Sequence, residues 1–350
     1  MQTKYGMICP RLKHFVRLQP SGKVSKCGHM VAPREFDTFD DMQDSKWLTD
    51  INAQMEKNSW PAECIRCQTT ENINNRSIRL DMIERDKILK SINKDYLIVG
   101  GVLDNICNSA CQTCNENLSS KIGSLKKNSI RVDNYKKFYE LPVDKIVELD
   151  INGGEPTYSP NYKKILETLP TNIKIVRINT NAHKTFDSIT TLLDRGVRII
   201  ITISFDGLND IHDYVRWPIK FLNVENTIKE YKQIQQSYPT LLKLNLWTTV
   251  SVYNINQFDK IVAYAKDNKL EHSYGIVESP NVLSVTHCNK LTVDAKLKYI
   301  NSDNVLLKNL AGKIAVKVNN SAQLKKYVEQ QDNFRSIKFK DYFNFDPNTL

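Results

Sequence analysis

An α/β fold is predicted for this 350-residue sequence, because short apolar runs alternate with amphipathic segments from about residue 97 onward. Six runs are interpreted as buried strands: LIVGGVL (97–103), KIVELDI (145–151), IKIVRIN (173–179), RIIITIS (198–204), LKLNLWTTVSV (242–252) and HSYGIV (272–277). Helices are predicted between them, around 115–140 and at 161–169, 184–196, 224–236 and 255–268. Strands that alternate with helices indicate β/α units and a parallel sheet.

Six such units are fewer than the eight of a closed barrel, so we expect a partial (β/α)6 barrel of the TIM type over residues 95–289. Residues 1–94 are predicted to form a small module of a β-hairpin and helices. The hairpin turns at Pro20–Ser21–Gly22, and the helices cover 45–58 and 78–93. Residues 290–350 are expected to be a short C-terminal extension with one helix, in SAQLKKYVEQQ.

The bulk composition is that of an ordinary globular protein, with 41% hydrophobic and 25% charged residues. No segment approaches the ~18 apolar residues of a membrane span, and the first residues have no apolar signal-peptide core. We therefore expect a cytoplasmic protein in which clustered cysteines bind metal or react. The net charge of +10 is spread along the chain and is interpreted as a solvated surface, with a slight preference for an anionic partner. No RNA-binding motif supports a nucleic-acid partner.

Three cysteines, Cys107, Cys111 and Cys114, lie within eight residues directly after the first predicted barrel strand. Active sites of α/β barrels lie at the carboxyl ends of the strands. Three thiolates on one such loop can bind three irons of a [4Fe–4S] cluster and leave the fourth iron open. The alternatives are a zinc site, for which this loop lacks a histidine, and chance clustering.

The C-x3-C-x2-C spacing resembles the signature of the radical S-adenosylmethionine (SAM) enzymes, and four further motifs follow in the order of that superfamily. They are NGGEP (152–156), NTNA (179–182), SFDG (204–207) and HDYVR (212–216), of which the last is similar to the H-D-x-x-R of peptide-maturing subfamilies. Ala182 departs from the usual glycine, and Thr113 stands where an aromatic residue often contacts the adenine.

This resemblance implies site residues for SAM. The backbone of Gly153, Gly154 and Glu155 would bind the methionine amino group. Thr180 and Asn181 would belong to the same site. The ribose and carboxylate would meet three further side chains, namely Ser204, Asp206 and Arg216. Tyr274 and Ile276 are candidates for packing against the adenine.

The chemistry implied by the resemblance is reductive cleavage of SAM at the cluster to a 5′-deoxyadenosyl radical, which abstracts hydrogen from the substrate. The H-D-x-x-R motif favours a peptide or protein side chain as substrate. A nucleotide, tRNA or small metabolite is the alternative. The electron donor would be a flavodoxin or ferredoxin, and no membrane partner is expected. A rival of another class is a non-catalytic zinc or iron–sulfur protein on a degenerate barrel.

A second cysteine set, Cys9, Cys27, Cys64 and Cys67, lies in the N-terminal segment. Its C-x12-G-x4-C…C-x2-C pattern resembles the auxiliary-cluster module called twitch, a shorter relative of the SPASM domain. That module usually follows the barrel, whereas here it precedes it. The resemblance implies a second [4Fe–4S] cluster with four cysteine ligands. Structural zinc satisfies the same ligand set and stays open.

The remaining candidates are given structural interpretations. Cys288 is interpreted as a buried thiol, with an open-site ligand or a catalytic hydrogen donor as alternatives, and His287 as a surface residue. His212 is expected to pack or to hydrogen-bond near the SAM carboxylate rather than to act as a base. The tryptophans Trp217 and Trp247 are expected in the core. Asp332 and Arg335 are interpreted as a surface ion pair.

Overall fold

The computed structural model of the chain describes residues 7–286, 290–314 and 321–343. In these ranges eight strands form one sheet: Phe15–Leu18 (β1), Val24–Ser25 (β2), Leu97–Val102 (β3), Ile146–Asn152 (β4), Ile175–Thr180 (β5), Arg198–Ser204 (β6), Leu242–Val250 (β7) and Glu271–Ile276 (β8). The order across the sheet is β2-β1-β3-β4-β5-β6-β7-β8. Only β1 and β2 pair antiparallel. The predicted α/β class and all six predicted barrel strands, β3 to β8, are confirmed.

Helices connect these strands and flank them at both ends of the chain. Those before β3 are Pro10–His14 (α1), Phe39–Gln43 (α2), Lys46–Glu56 (α3), Ile65–Asn74 (α4) and Ile78–Ile92 (α5). Those between β3 and β8 are Ser120–Leu125 (α6), Tyr135–Tyr139 (α7), Pro160–Glu167 (α8), Ile189–Asp194 (α9), Asn209–Val215 (α10), Phe221–Ser237 (α11) and Phe258–Asp267 (α12). Those after β8 are Lys290–Tyr299 (α13), Val305–Lys313 (α14) and Ser321–Arg335 (α15). The helix expected around 115–140 is therefore two short helices.

The main core lies between the connecting helices and one face of the sheet, because successive side chains of a strand point to opposite faces. In β4 and β5, for example, Leu149, Ile151, Val176 and Ile178 all belong to this core. The opposite face carries a smaller apolar cluster that includes Phe15, Ile98 and Val147, and beside it polar side chains such as Arg177, which pairs with the buried carboxylate of Glu148 (2.6 Å). Part of that face is thus left to line polar cavities.

The predicted hairpin is present, and its turn contains Gly22 at a φ of +83°. Its first strand also extends the barrel sheet, because β1 pairs in parallel with β3 in a register that aligns Leu18 with Gly101. Gly101 has a φ of +94°, and a Cβ there would overlap the carbonyl oxygen of Leu18. The N-terminal segment therefore shares the main core with the barrel through Val16, Leu18 and Val24.

The C-terminal extension contains more helix than the sequence indicated. α15 packs through Leu324 and Val328 against a cluster that includes Tyr214, Val252 and Val277. Each of these three residues comes after the carboxyl end of a strand, β6, β7 and β8 respectively. The helix α15 therefore covers the carboxyl ends of these strands. No helix within the described ranges is both long and apolar enough to cross a bilayer.

Candidate active site

The predicted SAM-site residues converge on one cavity of about 230 Å³ at the carboxyl ends of β3 to β6. Its lining contains all three cysteines of the first loop together with residues of four motifs: Cys107, Cys111, Cys114, Gly153, Gly154, Glu155, Thr180, Asn181, Ser204 and Arg216. Thr113 and Asn179 also line it. Asp206 is not part of this lining, and its carboxylate pairs with Arg216 instead. Segments that are 109 residues apart in sequence, from Cys107 to Arg216, therefore meet at one edge of the sheet.

The cysteine loop buries Cys107 and Cys111 and leaves Cys114 half-buried. The pKa of Cys107 is raised to about 11, chiefly by burial and in addition by the neighbouring Cys111. The pKa of Cys114 rises to about 12 for the same two reasons, with Cys107 adding to the effect. Burial therefore disfavours the thiolate forms of Cys107 and Cys114, and a bound cation would offset that cost.

The three thiols of the cysteine loop differ from a site for a single metal ion. In the described part of the chain no three His, Cys, Asp or Glu side chains are placed to hold a single metal ion. A [4Fe–4S] cluster asks for something different, because each thiolate binds a different iron. Three thiols that line a shared cavity, with no histidine among them, fit that requirement.

The glycine-rich loop after β4 needs glycine for two reasons. Gly153 and Gly154 have φ values of +92° and +41°, which L side chains rarely adopt. A Cβ on Gly153 would lie 2.5 Å from Val102 Cγ1, and one on Gly154 would overlap the carbonyl oxygen of Ile106, next to Cys107. The loop therefore packs backbone against backbone on the cysteine loop.

Glu155 acts through its carboxylate rather than its backbone. Its N–H donates to the Ile106 carbonyl (2.8 Å), and its own carbonyl accepts from Ser159 N–H (2.9 Å). The buried carboxylate accepts from Thr157 Oγ1 (2.7 Å), Thr180 Oγ1 (2.6 Å) and the Asn181 N–H (2.6 Å). Glu155 thus joins the loop after β4 to the loop after β5, and its backbone is already committed.

The loop after β5 returns toward the cysteines. Asn181 Nδ2 donates to Asn108 Oδ1 (2.8 Å) and Ser109 Oγ (3.2 Å) of the cysteine loop. Ala182 follows at a φ of +54°, a conformation that glycine adopts without steric cost. The departure from glycine at Ala182 therefore keeps the turn and changes only its strain.

Arg216 lines the cavity and carries the positive charge of the site. Its Nη1 donates to Asp206 Oδ2 (2.7 Å), and Asp206, which is 1% exposed, also accepts the Thr249 N–H (2.7 Å). The Nε of Arg216 is buried without a hydrogen-bond partner among the described residues. An unpartnered buried donor on an arginine suits an anionic ligand in the cavity.

Arg335 contacts the cysteine loop, which the sequence analysis did not predict, and the surface ion pair predicted for it is wrong. Its side chain is 2% exposed, and Nε and Nη2 donate to the carbonyls of Ala110 (2.7 Å) and Cys111 (3.0 Å). Asp332 instead accepts from Tyr214 Oη (2.8 Å) and from the Phe339 N–H (2.6 Å). A D-x-x-R spacing on a helix gives no signal of a partner more than 200 residues away.

The second cysteine set also lines one cavity, with Cys9, Cys27, Cys64 and Cys67 on its wall. The pKa values of Cys9 and Cys64 are raised to about 12, chiefly by burial and in addition by the other thiols of the set. Two arginines, Arg11 and Arg79, line the same cavity. Its volume of about 20 Å³ is small, so a cubane would need the four side chains to turn outward. The donor chemistry fits a four-thiolate site.

The segment that carries the second cysteine set also contacts the β8 edge of the sheet. Arg66 on α4, next to Cys67, pairs with Glu278 just after β8 (3.6 Å). The two terminal edges of the sheet, at β2 and β8, are therefore connected through the N-terminal segment.

The other candidates are distributed as follows. His212 is fully buried between the rings of Phe205 and Phe221, and burial, with Arg216 beside it, lowers its pKa to about 3. Trp247 is not in the core, since it is 40% exposed.

Tyr274 packs against Phe258 of α12 rather than lining the cavity. Ile276 packs in the same cluster, which involves α12 and α13. Cys288 and His287 lie outside the described residues.

Comparisons with known proteins give partial similarities. No family model matches the sequence. Over 140 residues, 38% of this chain, it is 26% identical to a GTP 3′,8-cyclase of Pasteurella multocida, and it spans 40% of that protein's length. Among solved structures, anSMEcpe with bound AdoMet has a TM-score of 0.43 at 14% identity, covering 65% of this chain and 66% of that one. SuiB of Streptococcus suis, bound to the precursor peptide SuiA, has a TM-score of 0.41 at 14% identity, covering 93% and 70%. The similarity to the cyclase supports the radical SAM resemblance that the motifs indicate.

Proposed function

We propose that the chain is a radical SAM enzyme whose reactive centre is the cavity at the carboxyl ends of β3 to β6. The observation that carries the proposal is the meeting of three cysteines with residues of four separate motifs around one cavity of about 230 Å³. With SAM and a [4Fe–4S] cluster bound, such a site supplies reductive cleavage of SAM to a 5′-deoxyadenosyl radical.

The chain's own residues would bind and orient SAM. Cys107, Cys111 and Cys114 would hold the cluster. The Nε of Arg216, unpartnered in the described structure, would donate to the SAM carboxylate, and the Arg216–Asp206 pair would fix its orientation. Gly153 and Gly154 leave room for close backbone approach, and Glu155 holds the loops that carry Thr180 and Asn181. Ser204 would face the ribose from the end of β6.

For the N-terminal cysteines we propose a twitch-like auxiliary [4Fe–4S] cluster held by Cys9, Cys27, Cys64 and Cys67. Support comes from the shared cavity and from the purely thiol donor set. A closed four-thiolate site suits electron transfer or structural support better than substrate binding. The alternative is a single zinc ion, which the small volume of this cavity favours.

As substrate we propose a peptide or protein side chain, on the basis of the HDYVR motif at 212–216. A nucleotide is the second candidate, and the stretch of similarity to a GTP 3′,8-cyclase favours it. The proposed electron donor is a flavodoxin or ferredoxin, and the proposed location is the cytoplasm.

Cys111→Ala is the variant that tests the enzymatic proposal. It removes one of three ligands to the proposed cluster, so dithionite-dependent formation of 5′-deoxyadenosine from SAM should fall below detection. The matched control is Cys288→Ala, since Cys288 belongs to neither cysteine motif and its loss should leave the product unchanged. Product formation by Cys111→Ala at the rate of the unaltered chain would refute the proposal.

Cys64→Ala tests the auxiliary cluster through metal content. After anaerobic reconstitution the unaltered chain should hold about eight irons, and the variant about four, with 5′-deoxyadenosine still formed. One zinc and about four irons in the unaltered chain would replace the auxiliary cluster by a structural zinc site. Eight irons in the variant would show that Cys64 is not a ligand.

A further inference from the structure

The cysteine loop is held by two segments that lie far from it in sequence. On one side, Ala110 N–H donates to the Trp217 carbonyl (2.7 Å) and Gln112 N–H to the Val215 carbonyl (2.8 Å). On the other side, α15 reaches the loop carbonyls: Tyr327 Oη donates to the Gln112 carbonyl (3.1 Å). Arg335, at the end of the same helix, donates to the next two carbonyls toward Cys107.

The contact made by Arg335 has the geometry that a guanidinium fork provides. Nε and Nη2 take the carbonyls of Ala110 and Cys111, and Nη1 takes Gln331 Oε1 (2.7 Å). The fork is planar and rigid, so it fixes two successive peptide units of the loop at once. A lysine ammonium keeps the charge but offers no such fork.

The side chain of Arg335 is buried, and within the described ranges it makes no direct ion pair with a carboxylate. The arginine ion pairs in the described ranges involve Arg66, Arg79, Arg85, Arg131, Arg177 and Arg216. Burial lowers the pKa of Arg335, whereas Tyr327 and Cys111 act in the opposite direction. A buried cation is costly unless an anion lies near it. Two groups that interact electrostatically with Arg335 can supply negative charge, namely the carboxylate of Asp332 on the same helix and the thiol of Cys111 in the cysteine loop.

We propose that Arg335 is a positioning residue for the proposed cluster: it anchors the backbone at Cys111 and its charge favours the cluster's reduced, more negative state. The inference rests on the proposed function. Reduction adds one electron to the cluster, so a fixed cation nearby stabilises the reduced form and makes the midpoint potential less negative. Hydrogen bonds and local charge are among the factors that set such potentials.

Two variants separate the anchoring from the charge. Arg335→Met removes both. We expect the ratio of reduced to oxidised cluster at a fixed solution potential to fall by about tenfold, measured on the EPR signal that changes when SAM is added. Arg335→Lys keeps the charge and loses the fork. We expect its potential to stay near that of the unaltered chain, while its iron is released to a chelator several-fold faster.

Lys326→Met is the matched control, because it removes one positive charge from an exposed position of the same helix. Its potential and its iron-release rate should not change. If Arg335→Met fails to fold by circular dichroism, the iron-release rate of Arg335→Lys decides the anchoring role. A potential unchanged in Arg335→Met, or iron release unchanged in Arg335→Lys, would overturn the corresponding half of the proposal. Absence of a SAM-responsive cluster in the unaltered chain would instead refute the proposed function.

Discussion

His212 shows how a single residue can be fixed in one protonation state by its surroundings. It lies in the HDYVR motif, yet its ring is buried between two phenylalanines and its pKa is about 3 because burial disfavours the charged form. At neutral pH it is uncharged in the folded protein. A proton-transfer role at this position is therefore unfavourable.

The low pKa of His212 predicts acid sensitivity. The unfolded chain takes up this proton below about pH 6.5, whereas the folded chain does so only near pH 3. The free energy of unfolding should therefore fall between these values by up to about 1.4 kcal/mol per pH unit. His212→Leu should lose less stability than the unaltered chain between about pH 7 and about pH 5, measured by urea unfolding.

Phe221→Leu is the control for this prediction, since it alters the same packing without a titrating group. It should lower stability equally at both pH values. Equal acid-dependent losses in His212→Leu and in the unaltered chain would contradict the assignment of the proton to His212.

The grouping of the motif residues around the cysteines was predictable, because each motif directly follows a strand of the sheet. Arg335 and Trp247 were not. Both were given their commonest structural role, a surface ion pair and a core aromatic. The actual positions depend on tertiary packing: Arg335 is buried against the cysteine loop, and the polar face of the sheet leaves Trp247 40% exposed. Neither relation has a local signature in the sequence.

At the scale of single elements, the turn after β4 couples the sheet to the cysteine loop. The positive φ angles of Gly153 and Gly154 direct the chain across Ile106, where only a glycine leaves room. Ser159 strengthens the junction, because its Oγ starts α8 by accepting from Tyr162 N–H (3.3 Å) and donates to Asp104 Oδ2 (2.5 Å). The position of the cysteines thus depends on a turn that contains none of them.

Two alanine substitutions separate backbone strain from crowding. Gly196 has a φ of +74° with open space around its Cβ position, so Gly196→Ala should cost about 1–2 kcal/mol of unfolding free energy. Gly154→Ala adds a collision with the Ile106 carbonyl and should cost at least about 3 kcal/mol. SAM affinity should fall only in Gly154→Ala. Urea unfolding and calorimetric SAM titration measure both effects, and equal costs would contradict the crowding.

The elements themselves were largely predictable, with instructive exceptions. The six barrel strands are apolar runs between polar segments, and this pattern is a direct sequence signal for buried strands. β1 was expected only as half of a hairpin, because its pairing with β3 depends on a Gly101 that accepts the close approach of Leu18. α4 was not predicted, because Pro61 just before it disfavours a continuous helix. The helix begins at Ile65, after a short 3₁₀ turn at Ala62–Cys64.

For the molecule as a whole, the sheet integrates the N-terminal segment and the barrel. Val16, Leu18 and Val24 belong to the same core as β4 to β7, and Arg66 reaches Glu278 beyond β8. The boundary predicted near residue 94 thus separates two sequence motifs that share one core. Both cysteine sets are consequently carried by a single sheet, one beyond the carboxyl end of β3 and the other beside β1 and β2.

The contact of Arg335 with Ala110 spans 225 residues, and it sets an order of events during synthesis. At about 5–20 residues per second, the ribosome releases the cysteine loop roughly 10–45 s before the residue that anchors it. During that interval the three thiols belong to a loop that lacks one of its supports. Iron delivered in that interval would reach an incompletely supported loop, so cluster loading is expected to follow the synthesis of α15.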